Sequence, residues 1–483
     1  MKISISSQEI IKYLYNQQVG DADLMAKIYQ GQFIWDHANK MWYRWAAHYW
    51  EVDSRADVYH CAEELAETYR GCLREISNKI NESDDDKVAN NLKKIEKELR
   101  SRIAQLKKRN YINDILSLVR MTSQRLSTDG ESWNNQPEKI CFENGCLNLD
   151  TLVFSAGNPD DLITRHCDCE WAGIDAEAPR WSRFLVEIFD RDLATIDFVQ
   201  RLFGYAISGK LASERAIFPI LWGNGRNGKN LLVEAIAGVL GNYSAPMRSE
   251  TFIEDARHAV GRNQATPDLI QMAGRLLVYF SETGANRKLA GPLIKSLTGD
   301  QLAAVRDLFQ GQTFIQNRAK IFMLTNYLPI VDADDYALWR RLLIIPFGLS
   351  FVPQPTTQNE RMAVDGLPEI FSSERSGIAA WLVSGYRMFC DIGLDQSEAV
   401  RQATAQYRLS VDSISGFLAA ECKTGDGFSE RAQSLFDRYV EYCAEEGIFQ
   451  MSHIKFFASM KKRFRYERRA DARWYFGVML SCS

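Results

Sequence analysis

Apolar residues along the chain change their period several times, and each change marks an element. Residues 57–80 repeat apolar side chains at helical spacing. After a polar turn at 81–86, a second helix is predicted with Val88, Leu92, Ile95, Leu99, Ile103 and Leu106 on one face. Upstream, 32–35, 41–45 and 48–52 read as a short tryptophan-rich meander whose aromatics form a small core. Residues 142–150 read as a turn feeding a strand. Residues 179–210 return to helical spacing, with Trp181, Phe184, Leu185, Ile188 and Phe189 on one face.

The middle of the chain behaves differently. An apolar run at 216–222 has the length of a buried strand, and 231–240 repeats Leu231, Leu232, Ala235, Ile236, Val239 and Leu240 at helical spacing before Gly241, a plausible stop. Three further runs, at 276–280, 321–324 and 342–345, are apolar on both faces. Such strands suit a mostly parallel sheet covered by helices, so 211–350 is expected to be an α/β nucleotide-binding domain. In the tail, 414–420, 432–443 and 452–464 read as short helices and 474–478 as a wing strand.

Between the first buried strand and its helix lies Gly223-Asn224-Gly225-Arg226-Asn227-Gly228-Lys229-Asn230. Glycines let the backbone curl so that successive N–H groups face phosphate oxygens, and the helix N-terminus adds positive potential at the same place. Lys229 would set a full charge on the terminal phosphates. Asn230 stands where Ser or Thr usually offers a hydroxyl to Mg2+; its carbonyl oxygen is the available substitute. A glycine-rich turn with no ligand is the bland alternative. The later runs end in residues of use to the same chemistry: Glu282 after 276–280, Asn326 after 321–324, and Arg340 and Arg341 just before 342–345. Open α/β sheets bind ligands at these carboxyl ends.

Bulk properties restrict the reading further. The 483 residues are 46% hydrophobic and 25% charged, with a net charge of −4, so any nucleic-acid contact has to come from local patches. No apolar run approaches a membrane span and no signal-peptide core opens the chain. Ten scattered cysteines with no repeated framework point to a reducing cytoplasm. Cys141, Cys146, Cys167 and Cys169 with His166 lack the usual zinc spacing, and buried thiols are expected. Between Lys87 and Arg109 stand nine Lys/Arg against two Glu, read as the solvated face of a helical hairpin, with contact to DNA phosphates as the less favoured alternative.

From Gly223 to Phe347 the chain resembles the superfamily-3 helicase module of phage and plasmid primase–helicase proteins. Walker A corresponds to 223–230, Walker B to 276–282, the intervening signature to 295–300 with Arg306 and Phe314, motif C to 320–329 and the arginine finger to 339–341. The resemblance implies an AAA+-like P-loop core at 211–350 and a mixed α+β accessory region at 1–180. It also implies a helical collar at 181–210, a helical linker at 351–412 and a winged helix at 413–483. Larger relatives carry a primase domain with paired aspartates; none is found before residue 200, and primase activity is not expected.

The resemblance also implies ATP and Mg2+ as cofactors in a homo-oligomer, a hexamer, acting on DNA. Lys229 would hold the phosphates, Glu282 polarise water, Asn326 position it, and Arg340 or Arg341 reach the neighbour's site. Asn230 and Glu282 would hold the metal. Because Ser281 replaces a usual acid, a weak Mg2+ requirement or slow turnover is compatible with this set. In related helicases a hairpin lines the pore; here Arg306, Phe309, Gln310 and Gln312 would flank its tip at Gly311, with Phe309 stacking on DNA and Phe314 packing the hairpin. From Lys455 to Arg473, eight Lys/Arg oppose Glu467 and Asp471. Lys461, Lys462, Arg463, Arg465, Arg468 and Arg469 are the duplex-binding candidates. A separate primase or other replication proteins would be partners. An origin-melting initiator, or a scaffold that does not act on nucleic acid, is the rival reading.

Overall fold

The computed structural model describes residues 5–121, 126–254, 267–285, 287–306, 312–411, 413–446, 450, 452–469 and 472–481. The chain divides into two compact units, Met1–Trp171 and Ala172–Ser483.

In the first unit the two amphipathic helices form as their spacing predicts, Val58–Asn81 and Asp86–Gln105. Asp85 caps the second by accepting the N–H groups of Lys87 and Val88. Their apolar faces join helices Ser7–Tyr15, Gln17–Tyr29 and Arg109–Leu118 in one core. A charge is buried inside it: Asp21 meets Arg102 at 2.7 Å and accepts the hydroxyls of Tyr69 and Tyr111 at 2.5 and 2.6 Å. The tryptophan meander forms strands Phe33–Asp36, Met41–Trp45 and Trp50–Val52, with Trp42 and Trp50 buried as the small core requires.

One expectation here is corrected. Cys141 and Cys146 form a disulfide rather than standing as thiols. The turn pairs Phe142 with Gly145, which sets the two cysteines opposite each other in the hairpin. Cys167 and Cys169 are buried thiols, and no cluster suited to a metal ion occurs among the described residues.

The second unit is built on a five-stranded parallel sheet in the order Leu342–Pro346, Phe218–Trp222, Lys320–Thr325, Leu277–Glu282, Ser244–Pro246. The apolar runs are buried, as strands covered on both faces must be. Helix Lys229–Leu240 follows the first strand and ends at Gly241, whose φ is +52°. The segment expected as one helical stretch before the sheet is two helices, Pro179–Ile188 and Leu193–Ile207. Buried Lys320 donates to the carbonyls of Ser208 and Lys210 at 2.6 and 2.8 Å, satisfying groups left open past the second helix.

In the tail, helices Ser413–Glu421, Ala432–Glu445 and His453–Arg463 pack on a three-stranded sheet ordered Cys422–Arg431, Arg473–Leu480, Arg465–Arg468. The strand Cys422–Arg431 has no sequence counterpart in the reading above, since its polar, glycine-containing run lacks apolar alternation. No helix among the described residues is long and apolar enough to cross a membrane.

Candidate functional site

Strand register assembles the site. Glu282 lies opposite Thr325, and Thr325 opposite Trp222, in adjacent parallel strands. Glu282, Asn326 and the loop beginning at Gly223 therefore leave the same end of the sheet side by side.

The loop curls through left-handed backbone at Arg226 (φ +62°) and Gly228 (φ +84°). A Cβ on Gly228 would stand 2.7 Å from Ile188, and one on Gly223 would strike the Phe347 carbonyl at 2.3 Å. Gly225 differs: a Cβ there would meet nothing within 4 Å, so the protein leaves that approach open. Asn224, Gly225, Arg226 and Asn230 are exposed, whereas Asn227 and Lys229 are buried.

The Lys229 ammonium donates to the Asn326 Oδ1 at 2.6 Å, the Gly223 carbonyl at 3.2 Å and the Asn227 Oδ1 at 3.4 Å. These oxygens carry no formal charge, and burial depresses the lysine's pKa. The Asn227 Nδ2 is buried without a partner. Glu282, also buried, accepts the Gly284 N–H at 2.7 Å and faces the Arg287 Nε at 3.6 Å.

A cavity of about 450 Å³ opens over these groups. The loop, Asn230, Ser281, Glu282 and Asn326 line one side. The other side comes from residues that carry no motif: Arg180, Phe184 and Glu187 of helix Pro179–Ile188, with Phe351, Val364 and Leu367. Arg180 pairs with Glu187 at 2.9 Å, while the Glu374 carboxylate accepts the N–H groups of Arg180 and Trp181 at that helix's start. Helical spacing marked Phe184 as buried but held no sign of what it would face.

The arginine pair separates into two roles. Arg341 donates through Nε to the buried Thr298 Oγ1 at 2.9 Å and also bonds the Ala337 carbonyl. Arg340 is exposed, and its guanidinium has no hydrogen-bonding or ionic partner among the described residues. The short helix Tyr336–Trp339 before them is capped by Asp335, which Lys295 meets at 2.9 Å. Burial works against the Asp335 carboxylate, but the Lys295 ammonium and the Leu338 N–H outweigh it and hold its pKa below the ordinary range.

The nucleic-acid candidates are less gathered. Arg306 and Gln312 close the ladder between strands Leu302–Arg306 and Gln312–Gln316; Phe309 and Gln310 lie outside the described residues. Phe314, expected to pack the hairpin, is instead 60% exposed, while its neighbour Ile315 on the other face of the strand packs against the core of the sheet. In the tail, Lys462 is paired with Asp334 at 2.6 Å, Arg463 with the Ser415 hydroxyl at 3.0 Å, and Arg465 with Glu467. Lys461 lies over the Tyr466 ring and Arg469 over Trp474 and Phe476; Arg468 is exposed.

Comparison with known proteins adds a lineage to this geometry. Residues 22–190 match the D5 N-terminal-like family. A protein of Acanthamoeba polyphaga mimivirus, named as a candidate helicase, is 26% identical over 426 residues. The chain is similar to D5-like primase–helicase proteins. The chain aligns over 83% of its own length but spans only 42% of the mimivirus relative. A candidate primase of African swine fever virus is 23% identical across 47% of this chain and 24% of its own length. A candidate helicase of Invertebrate iridescent virus 3 is 27% identical across 47% and 25%. Among solved structures, the A-form apo C-terminal region of NrS-1 aligns with a TM-score of 0.41 and 14% identity, covering 73% of this chain and 76% of that one.

Proposed function

We propose that this chain is the ATP-hydrolysing motor of a superfamily-3 DNA helicase, working as a ring, a hexamer, in replication of a virus or other mobile element. One observation carries the reading: Lys229, Asn326 and Glu282 converge on one cavity at the carboxyl end of a parallel sheet, beneath a glycine loop.

The residues fit a nucleoside triphosphate. Phosphate oxygens would take the Lys229 ammonium from the neutral Asn326 carbonyl, since they carry full negative charge that attracts the cation where the amide oxygen offers only a dipole. The orphaned Asn227 Nδ2 and the open approach at Gly225 suit the same ligand. Asn326, once released, would hold the attacking water while Glu282 accepts its proton. The terminal P–O bridge bond then breaks, leaving ADP and phosphate. Bound Mg2+ would neutralise charge across the phosphates, and Asn230, Ser281 and Glu282 are the side chains available to hold it, directly or through water.

Arg340, being unengaged, is the arginine that would enter the neighbour's site; Arg341 would hold its element in place. Single-stranded DNA would pass Arg306, Phe309, Gln310 and Gln312, and the basic tail would meet duplex. The decisive experiment follows ATP hydrolysis per protomer against protein concentration, with and without single-stranded DNA. Activity should rise with concentration and be stimulated by DNA; hydrolysis at full rate by dilute monomer would reject the ring.

A further inference from the structure

The helix Asp86–Gln105 and the turn after it carry a second charged surface that the motor reading does not use. Folding sorts its cations into two groups. Arg102 turns inward to the buried Asp21, and Arg100 is paired with Glu96 at 2.8 Å. Lys87, Lys93, Lys94, Lys97, Lys107, Lys108 and Arg109 remain exposed and form no salt bridge among the described residues. Asp86, at the first turn of the helix, and Glu98 are the exposed acids on this stretch.

Placement makes this a row. Leu92, Ile95, Leu99 and Leu106 face the core of the unit. Lys93 and Lys97, one turn apart, share a strip of surface with Arg100, and Lys107 continues it past the cap residue Leu106. At 1.5 Å per residue the row extends about 20 Å. A chain with a net charge of −4 has nonetheless concentrated uncompensated positive charge on one rigid edge.

We infer that this edge binds the sugar–phosphate backbone of duplex nucleic acid. Charge sets the sign of the partner, and the missing side chains set its class. Residues 86–110 contain no aromatic, so the row has no platform on which unstacked bases of a single strand would sit. Val88 is the large apolar side chain exposed on the helix, which leaves an acidic protein without the apolar centre that such interfaces use. A rigid duplex presents one negative charge per roughly 1.7 Å of axis and asks only for cations held in line. This contact is independent of the nucleotide site.

The test uses the full chain and a labelled duplex DNA in fluorescence anisotropy across a salt series. The background carries Lys461→Ala, Arg468→Ala and Arg469→Ala, so that tail contacts do not mask the result. Adding Lys93→Ala, Lys97→Ala and Lys107→Ala should lower the slope of log affinity against log salt by roughly 2–3, about 0.9 per lost phosphate contact. Lys→Arg at the same three positions should keep the slope, and circular dichroism should be unchanged in both. An unchanged slope in the alanine variant overturns the inference. So does tighter binding of single-stranded DNA of the same sequence through these lysines, or equal competition by polyglutamate at matched charge. With the tail left native, Lys93→Ala, Lys97→Ala and Lys107→Ala should not change ATP hydrolysis measured without DNA, which separates failure here from failure of the motor.

Discussion

Lys229 is held in the free protein by three uncharged oxygens and little water, and this arrangement has a measurable consequence. Its depressed pKa lies below that of a free lysine, whereas bound phosphate would raise it again. Between those two values, on the alkaline side, nucleotide binding should take up a proton. Calorimetry in buffers of different ionisation enthalpy should detect the uptake, and Lys229→Met should abolish it together with most of the affinity. The loop glycines make a second contrast. Gly225→Ala has room in the free protein and should leave thermal stability unchanged while weakening nucleotide binding. Gly228→Ala meets both a positive φ and Ile188, so it should lower stability as well. Glu282→Gln should retain binding and cut turnover by about 10²–10⁴.

At the level of elements, the arginine pair shows how context divides identical side chains. Arg340 and Arg341 are indistinguishable as adjacent letters, and only the packing of helix Gly291–Gly299 beside one of them assigns the roles. Arg340→Ala should leave nucleotide binding and melting temperature intact while removing turnover by about 10³–10⁵. Arg341→Ala should instead destabilise by about 1–3 kcal/mol, through the bond lost to buried Thr298. The Asp335 carboxylate, with its lowered pKa, contributes stability above the ordinary carboxylate range and loses it as pH falls through the depressed value. In the other unit, the Asp21–Arg102 pair and two tyrosines join four helices. Arg102→Met strands a buried carboxylate and should cost about 3–5 kcal/mol in chemical denaturation; a cost under 1 kcal/mol would mean that water reaches Asp21.

For the whole molecule the question is whether one site needs two chains. Lys229→Ala and Arg340→Ala should each be inactive alone. Mixed, they should recover part of the activity, because some interfaces would pair an intact Lys229 with a neighbour's intact Arg340. No recovery at any ratio would assign the arginine to its own subunit.

What the residues determined unaided is which side chains gather at the sheet's end. Buried strands are short apolar runs, a glycine loop is a local backbone permission, and Lys229, Glu282 and Asn326 each sit at a boundary between such runs. All of that is written within a few residues. Tertiary structure decided the rest: the far wall from Phe184, Glu187 and Phe351, the free arginine, the exposure of Phe314, the disulfide, and which cations of the Asp86–Gln105 helix remain unpaired. Each depends on a partner far away in the chain, and periodicity records only that a side chain is buried, never against what.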